Sequence, residues 1–354
     1  MVFPHTSLVK LEHYPDGTAG QPLAFQACYH TKTIDVTGEL WRQKDTARMI
    51  MTELRQHVAD GDILLLDGAT GTELERRGAT MSGGAWCALA TETDPDILQS
   101  LHEDYIRVGA DVVTANSFSN ARHMLEQAGA GDKAASLTRS AVEIAKRARD
   151  KAAGGRDVAV AVSLSHQMPM VSGAARDDPE LRPSPDQVLA NFREIVEAGV
   201  EAEADMVMLE MMSRPIHIAP ALQAAGESGL PYWCGMSARM EEDKVVSYVW
   251  ESFAFEESVE AVMNGSPEVV GLMHTNVNAT GPALDCLRQQ WDGPMMAYPD
   301  SGFFKMPRWQ FTDIIAPEDL AQEAKDWKAK GVTIFGGCCG LGLEHIRALA
   351  GLRG

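Results

Sequence analysis

The amino-acid sequence predicts a single (β/α)8 barrel, an α/β fold, preceded by an N-terminal extension. Three observations support this prediction: a length of 354 residues, eight short apolar runs separated by helical stretches, and polar residues after each run. A barrel of this type takes about 250 residues, so one barrel and an extension account for the chain. We expect the extension to cover residues 1–58 and the barrel to cover residues 59–354.

Eight short apolar runs, often with β-branched residues, recur from residue 62 onward. They are Ile63–Leu66, Val112–Ala115, Val158–Leu164, Met206–Leu209, Tyr232–Met236, Val269–Met273, Met295–Ala297 and Val332–Phe335. Runs that are apolar on both faces are typical of buried parallel strands, and eight strand–helix units favour a closed barrel. A doubly wound open sheet is the alternative. No Gly-x-Gly-x-x-Gly follows the first run, which weakens a dinucleotide-binding version of that sheet.

Helical stretches lie between these runs. They are Asp96–Val108, Ala134–Ala153, Pro185–Glu203, Ala219–Gly226, Phe253–Met263 and Ala316–Lys330. A further helix is predicted over Asp45–Val58, because its apolar residues fall at helical spacing. The residues before it scatter turn-formers among short apolar patches, and we expect this extension to pack on the barrel or on a partner, including a second copy of the chain.

Composition and charge exclude several classes of function. Hydrophobic residues make up 45% and charged residues 23% of the chain, which is ordinary for a globular protein. The formal net charge of −19 disfavours binding to nucleic acid or to anionic membranes. No stretch approaches the roughly 18 apolar residues of a membrane helix. Six cysteines and no secretion signal favour a reducing cytoplasm with free thiols.

In a barrel of this kind, active-site residues follow the strands at their C-terminal ends. The groups found there are polar or able to bind metal: Asp67, Gly68, Thr70, Gly71, Asn116, Ser163, His166, Glu210, His274, Asp300, Cys338 and Cys339. Such a concentration of polar groups at one end of a barrel indicates an enzyme.

The pair Cys338-Cys339, which lies between glycines, is the sharpest local feature. Flanking glycines let the backbone turn, so that both sulfurs can face one ion. Zinc prefers sulfur and nitrogen ligands and leaves a fourth position for substrate when the protein supplies three. His274, at the end of the sixth run, is the candidate third ligand. The alternative is a pair of small buried residues beside a hydrogen-bonding histidine.

Two carboxylates, Asp67 and Glu210, end the first and fourth runs. They could bind an α-amino group or act as acid and base, whereas the alternative is that each caps a helix. Gly68 and Gly71 bring backbone N–H groups suited to a carboxylate. A barrel lyase or aldolase with Glu210 or His166 as its base is a second enzyme class, and it would work without zinc.

Four motifs in order resemble the homocysteine S-methyltransferase family over residues 62–347. They are Leu65–Leu74 (LLDGATGTEL), Gly109–Phe118 (GADVVTANSF), Tyr298–Gly302 (YPDSG) and Gly336–Gly340 (GGCCG), the last followed by Glu344-His345-Ile346. The combination of the first and last motifs is the most specific part of this resemblance.

The resemblance implies a barrel enzyme that transfers a methyl group to homocysteine and thereby makes methionine. It implies that Cys338 and Cys339 bind zinc and that His274 takes the place of a third cysteine. Asp67 and Glu210 would hold the homocysteine amino group, and backbone near Gly68–Gly71 its carboxylate. The expected substrate-binding residues are Asp67, Gly68, Thr70, Gly71, Asn116, Ser163, Glu210 and Asp300, where the family commonly has Asn in place of Asp300.

The histidine affects the expected methyl donor. A zinc with one imidazole and two thiolates carries one negative charge less than a zinc with three thiolates. The lower charge promotes ionisation of a bound thiol but makes the thiolate a weaker nucleophile. We therefore expect a reactive sulfonium donor, such as S-methylmethionine, to be preferred over betaine. The alternatives are a divergent paralogue that acts on another thiol, and one that binds metal or thiol without methyl transfer.

Overall fold

The computed structural model describes residues 49–81, 83–169, 178–248, 253–304 and 311–354. Most of the predicted extension, residues 1–48, lies outside these ranges, so the boundary at residue 58 stays a prediction. Residues Gln43–Gly354 form one compact unit. Within the described ranges, no helix is long and apolar enough to cross a membrane.

The apolar runs form one parallel sheet that closes on itself. The strands of the chain are β1 (Leu64–Leu65), β2 (Val112–Thr114), β3 (Ala159–Ser165), β4 (Met206–Met212), β5 (Tyr232–Met236), β6 (Ala238–Glu241), β7 (Lys244–Ser247), β8 (Val269–Asn276), β9 (Met295–Asp300), β10 (Phe303–Phe304), β11 (Phe311–Thr312) and β12 (Val332–Phe335). The order in the large sheet is β1-β12-β9-β8-β5-β4-β3-β2, and a parallel bridge between Leu66 and Val112 joins β1 to β2. The predicted barrel is confirmed, and the doubly wound alternative is wrong because first and last strands are neighbours.

Two antiparallel hairpins, β6–β7 and β10–β11, were not among the predicted elements. Each follows a barrel strand at its C-terminal end. The hairpins therefore add structure on the side of the barrel where the candidate site residues lie, and they leave the eight-stranded ring unchanged.

Helices surround the ring. They are α1 (residues 49–60), α2 (Gly71–Arg76), α3 (Ala90–Thr93), α4 (Pro95–Arg107), α5 (Arg122–Leu125), α6 (Ala134–Ala152), α7 (Pro185–Glu201), α8 (Pro215–Glu227), α9 (Phe255–Met263), α10 (Val277–Arg288), α11 (Pro317–Ala329) and α12 (Leu343–Ala350). Several begin with proline, whose missing N–H costs nothing in a first turn. The start of α7 is also fixed by a capping box between Ser184 and Gln187.

Side chains along each strand alternate between the barrel interior and the surrounding helices, so the core has two layers. In β4, Met206 and Met208 point into the barrel, whereas Val207 and Leu209 pack against the surrounding helices. The same alternation continued along β4 brings Glu210 to the inner side, just beyond Met208. The barrel interior is thus apolar along its length and becomes polar at the C-terminal ends of the strands.

Helix α1 closes the opposite end of the barrel. Its Ile50, Met51 and Leu54 are buried in the same inner cluster as Leu64 and Val269, the first residues of β1 and β8. The predicted helix at the end of the extension therefore exists over residues 49–60, and its apolar face covers the N-terminal end of the barrel interior.

Candidate active site at the C-terminal end of the barrel

A bulge in β8 places His274 at the site. The pairing of β8 with β9 runs from Met273 opposite Tyr298 to Asn276 opposite Asp300, so β8 has one extra residue. His274 takes the left-handed conformation, with φ of +50°. Because Met273 already points inward, regular alternation would aim His274 outward, and the bulge turns it toward the barrel axis.

Hydrogen bonds hold this bulge in place from the neighbouring segment. The Ser237 hydroxyl donates to the Met273 carbonyl at 2.6 Å, and the Ala238 amide donates to Oγ1 of Thr275 at 2.9 Å. The Phe118 ring packs on the His274 ring with centroids 4.9 Å apart. A left-handed non-glycine residue costs roughly 1–3 kcal/mol and persists only where its surroundings fix it.

The cysteine pair lies directly across from His274. Backbone hydrogen bonds tie the cysteine loop to β9, from the Cys338 amide to the Pro299 carbonyl (2.6 Å) and from the Ser301 amide to the Cys339 carbonyl (3.1 Å). Gly340, at φ +82°, makes the turn, and a Cβ there would lie 2.4 Å from the Ser301 carbonyl oxygen. The two sulfurs are 3.8 Å apart, so both face the same space as predicted.

A continuous chain of contacts connects the pair to the fourth and third strands. Cys338 Sγ lies 3.1 Å from His274 Nδ1, and His274 Nε2 lies 2.9 Å from Glu210 Oε2. The Ser163 hydroxyl donates to Glu210 Oε1 at 2.5 Å. The structure thereby brings together four of the predicted site residues, and it gives Glu210 a partner on each oxygen.

Asp67 is fully buried beside this chain. Its oxygens accept hydrogen bonds from the Thr114 amide (2.7 Å), the Thr114 hydroxyl (3.1 Å) and the Tyr298 hydroxyl (3.2 Å). Burial raises the pKa of Asp67 to about 7, against the lowering effect of the Thr114 amide, and the nearby charge of Glu210 raises it further. This carboxyl group therefore changes charge near neutral pH.

A small cavity of about 40 Å³ lies between these groups. Among the predicted residues it is lined by Thr70, Gly71, Asn116, Glu210, His274, Cys338 and Cys339. Asp67, Gly68, Ser163 and Asp300 are not in its wall, although Asp67 and Ser163 bond to residues that are. Asp300 accepts a hydrogen bond from Asn276 at 3.3 Å, and burial raises the pKa of Asp300 to about 6.

Gly68 and Gly71 of the first motif lie where aromatic rings leave no room for a side chain. A Cβ at Gly68 would lie 2.7 Å from the Tyr105 ring, and one at Gly71 would lie 2.3 Å from the Trp86 ring. Gly71 begins α2, whose first amides have no acceptor within the helix. The expectation that backbone amides at Gly68 and Gly71 bind a carboxylate stays a prediction.

Several residues of the cavity wall were not among the predicted site residues: Ala69, Trp86, Cys87, Thr114, Ala115, Phe118 and Tyr298. Cys87 bonds to Asn116, its thiol donating to Oδ1 at 3.1 Å while Asn116 Nδ2 donates to the Cys87 carbonyl at 2.9 Å. Burial raises the pKa of the Cys87 thiol to about 12, so it stays protonated. Phe118 and Tyr298 stand inside quoted motifs, whereas Trp86 and Cys87 lie in a connection without a motif.

The Nε2 nitrogen of His166 is occupied by hydrogen bonds from the backbone. It accepts from the Ser213 amide (2.8 Å) and the Arg214 amide (3.3 Å), immediately before α8. The lone pair of a nitrogen that accepts from backbone amides is not available to take a proton from a substrate. This geometry removes support from a lyase with His166 as its base.

The cysteine and histidine donors fit a tetrahedral zinc after a small movement. No group of three His, Cys, Asp or Glu side chains within the described ranges stands ready as a metal site. The sulfur separation of 3.8 Å nevertheless matches the ~3.8 Å expected for two thiolates on one zinc. The 3.1 Å between Cys338 Sγ and His274 Nδ1 is a hydrogen-bond contact, about 0.4 Å shorter than zinc ligands require.

Comparison with known proteins assigns the family. The family model for homocysteine S-methyltransferases matches residues 64–352, most of the chain. The chain belongs to the homocysteine S-methyltransferase family, a family of methyltransferase enzymes. The resemblance stated from the four motifs is thereby confirmed.

Individual relatives match over most of their lengths. The homocysteine S-methyltransferase of Escherichia coli is 27% identical and covers 84% of this chain and 97% of its own. The homocysteine S-methyltransferase YbgG of Bacillus subtilis is 24% identical, with 83% and 96% covered. The selenocysteine Se-methyltransferase of Brassica oleracea is 27% identical, with 82% and 88% covered.

A solved structure supports the same fold. The metallated form of the homocysteine methyltransferase MmuM from Escherichia coli superposes with a TM-score of 0.67 at 24% identity. The match covers 82% of this chain and 96% of that one.

Proposed function

We propose that this homocysteine S-methyltransferase family member transfers a methyl group from a cationic sulfonium donor to the thiol of homocysteine, with zinc bound by Cys338, Cys339 and His274. The observation that carries the proposal is the approach of these three side chains at the C-terminal end of the barrel. The paired thiols also indicate that the enzyme works in the reducing cytoplasm.

Zinc bound at this site would lower the pKa of the homocysteine thiol, so that a thiolate is present at neutral pH. In the transfer, the thiolate sulfur forms a bond to the methyl carbon while the bond from that carbon to the donor sulfur breaks. The electron pair stays on the donor sulfur, and the thiol proton leaves to solvent. With S-methylmethionine as donor, both products are methionine.

The chain's own residues hold the acceptor. Asp67, held by Thr114 and Tyr298, lies behind the cavity wall, where a bound ammonium group would favour its ionised form. Glu210 adds negative charge at the wall itself. The first turn of α2, at Thr70 and Gly71, is the proposed place for the carboxylate. Because the cavity holds only about 40 Å³, side chains of its wall must move when homocysteine enters.

Aromatic rings favour a positively charged donor. The Trp86 and Phe118 rings meet edge to face at 6.0 Å and both line the cavity. Aromatic faces attract sulfonium and quaternary ammonium groups, and the Glu210 carboxylate adds negative charge. The choice between the two donor classes depends on the His274 ligand, which makes the bound thiolate less nucleophilic than a site of three cysteines.

Steady-state assays of methionine formation test this proposal. We expect a clearly higher kcat/KM with S-methylmethionine than with betaine, and His274→Cys should narrow the gap because it restores the third thiolate. Because one relative is named for selenocysteine, that selenol belongs beside homocysteine in the acceptor series. A clear preference for betaine in the native chain would contradict the donor assignment. The absence of turnover with every donor would favour the binding-only paralogue.

A further inference from the structure

The Glu210 carboxylate contacts a candidate metal ligand. Ionised Glu210 can only accept hydrogen bonds, so the 2.9 Å contact requires that His274 Nε2 carries the ring proton. The Nδ1 lone pair then faces Cys338 Sγ at 3.1 Å, a distance at which the thiol can donate to it. One ring tautomer is thus selected before any metal arrives.

The second oxygen of Glu210 is also held. The Ser163 hydroxyl donates to Oε1 at 2.5 Å, and the Ser163 amide donates to the Ser117 hydroxyl oxygen at 2.9 Å. The side chains of His274 and Glu210 are only 13% and 7% exposed. Water therefore competes little for these contacts, and the carboxylate is fixed in orientation from β3.

We propose that Glu210 is a positioning residue that fixes His274 to bind zinc through Nδ1, with Ser163 fixing Glu210. The inference rests on the proposed zinc function and adds a role for Glu210 apart from any contact with the substrate amino group. A metal-bound histidine commonly donates its other N–H to a carboxylate, which orients the ring and raises the basicity of the ligand nitrogen. A cysteine in place of His274 would need no such partner.

Zinc affinity without homocysteine tests this role, because substrate contacts then contribute nothing. The dissociation constant is measured by chelator competition in reducing buffer for the native chain, Glu210→Ala and Glu210→Gln. We expect Glu210→Ala to weaken zinc binding by about 10- to 100-fold. Glu210→Gln should lose less, since its amide oxygen can still accept from Nε2 and its nitrogen can donate to Ser163.

The same Glu210→Ala substitution in a chain that carries His274→Cys shows whether the effect of Glu210 on zinc affinity depends on the histidine. In His274→Cys, which offers three thiolates, Glu210→Ala should change zinc affinity by no more than about twofold.

Asp67→Asn is the matched control, because this buried carboxylate bonds to Thr114 and Tyr298 and touches no proposed ligand. It should leave zinc affinity within about twofold of native. An equal loss from Glu210→Ala in both backgrounds, or no loss in the native one, would overturn the positioning role.

Nitrogen-15 NMR of labelled histidine gives a reading that needs no variant at position 210. In the zinc-loaded native chain, His274 should keep its proton on Nε2 and bind metal through Nδ1, and ligation through Nε2 would contradict this inference alone. If the native chain binds no zinc in reducing buffer, the proposed function itself fails. Native binding that is insensitive to Glu210→Ala overturns only the role of Glu210.

Discussion

At the scale of single residues, burial decides the chemistry of Asp67. Its ordinary pKa of 3.8 is raised to about 7, chiefly because the folded chain removes the carboxylate from water. In the fold the group stays neutral up to about pH 7, whereas in the unfolded chain it ionises near pH 4. The unfolded state therefore binds fewer protons between these values, and the stability contribution of Asp67 falls as the pH rises through this window.

Asp67→Asn tests this dependence. The asparagine does not titrate, so the free energy of unfolding of the native chain relative to the variant should fall from pH 4.5 to pH 7, by at most about 1.4 kcal/mol per pH unit. Urea unfolding at a series of pH values measures it. A difference that stays constant across this range would mean that Asp67 is ionised throughout.

The positions of the candidate site residues at the strand ends could be predicted from the sequence, but the contacts between them could not. Cys338, Cys339 and His274 were expected from their positions after two runs, and the structure brings them together. The Glu210–His274 contact could not be foreseen, because it joins β4 to β8 across the barrel. The close packing at Gly68 could not be foreseen either, since only the folded chain shows the Tyr105 ring 2.7 Å from where a Cβ would lie.

At the scale of elements, bulges in β4 and β8 limited how well the ends of these strands could be predicted from the sequence. The runs correctly located all eight barrel strands, yet β4 extends to Met212 and β8 to Asn276. Each contains a residue with positive φ, Met211 in β4 and His274 in β8, next to a shift in register. A polar residue follows each apolar run, Glu210 in β4 and His274 in β8, so apolar content alone could not show that the strands continue through the site.

Helix α1 makes a testable contribution to stability. Leu54 is 5% exposed in the inner cluster of the barrel, whereas Met49 on the same helix is 66% exposed. We expect Leu54→Ala to lower the free energy of unfolding by about 2–5 kcal/mol. Met49→Ala, the matched control, should change it by less than about 0.5 kcal/mol. Similar values for the two variants in urea unfolding would contradict the packing of α1 on the barrel.

At the scale of the whole molecule, the barrel follows from the repetition of the strand–helix unit. Parallel strands joined by helices can form a barrel or an open sheet, and the position of β1 between β12 and β2 shows that this chain forms the barrel. Closure brings strand ends that are hundreds of residues apart to one face. The hairpins on that face were not predicted, since strands of two to four residues are too short to show a period.

The claim that Cys338, Cys339 and His274 bind a zinc that also binds the homocysteine thiol is tested by X-ray absorption at the zinc edge, on reduced protein with and without homocysteine. We expect one zinc per chain with two sulfur ligands and one imidazole, and a third sulfur when homocysteine is added. A folded, reduced chain that binds no zinc, or a zinc whose sulfur count does not rise with homocysteine, would contradict it.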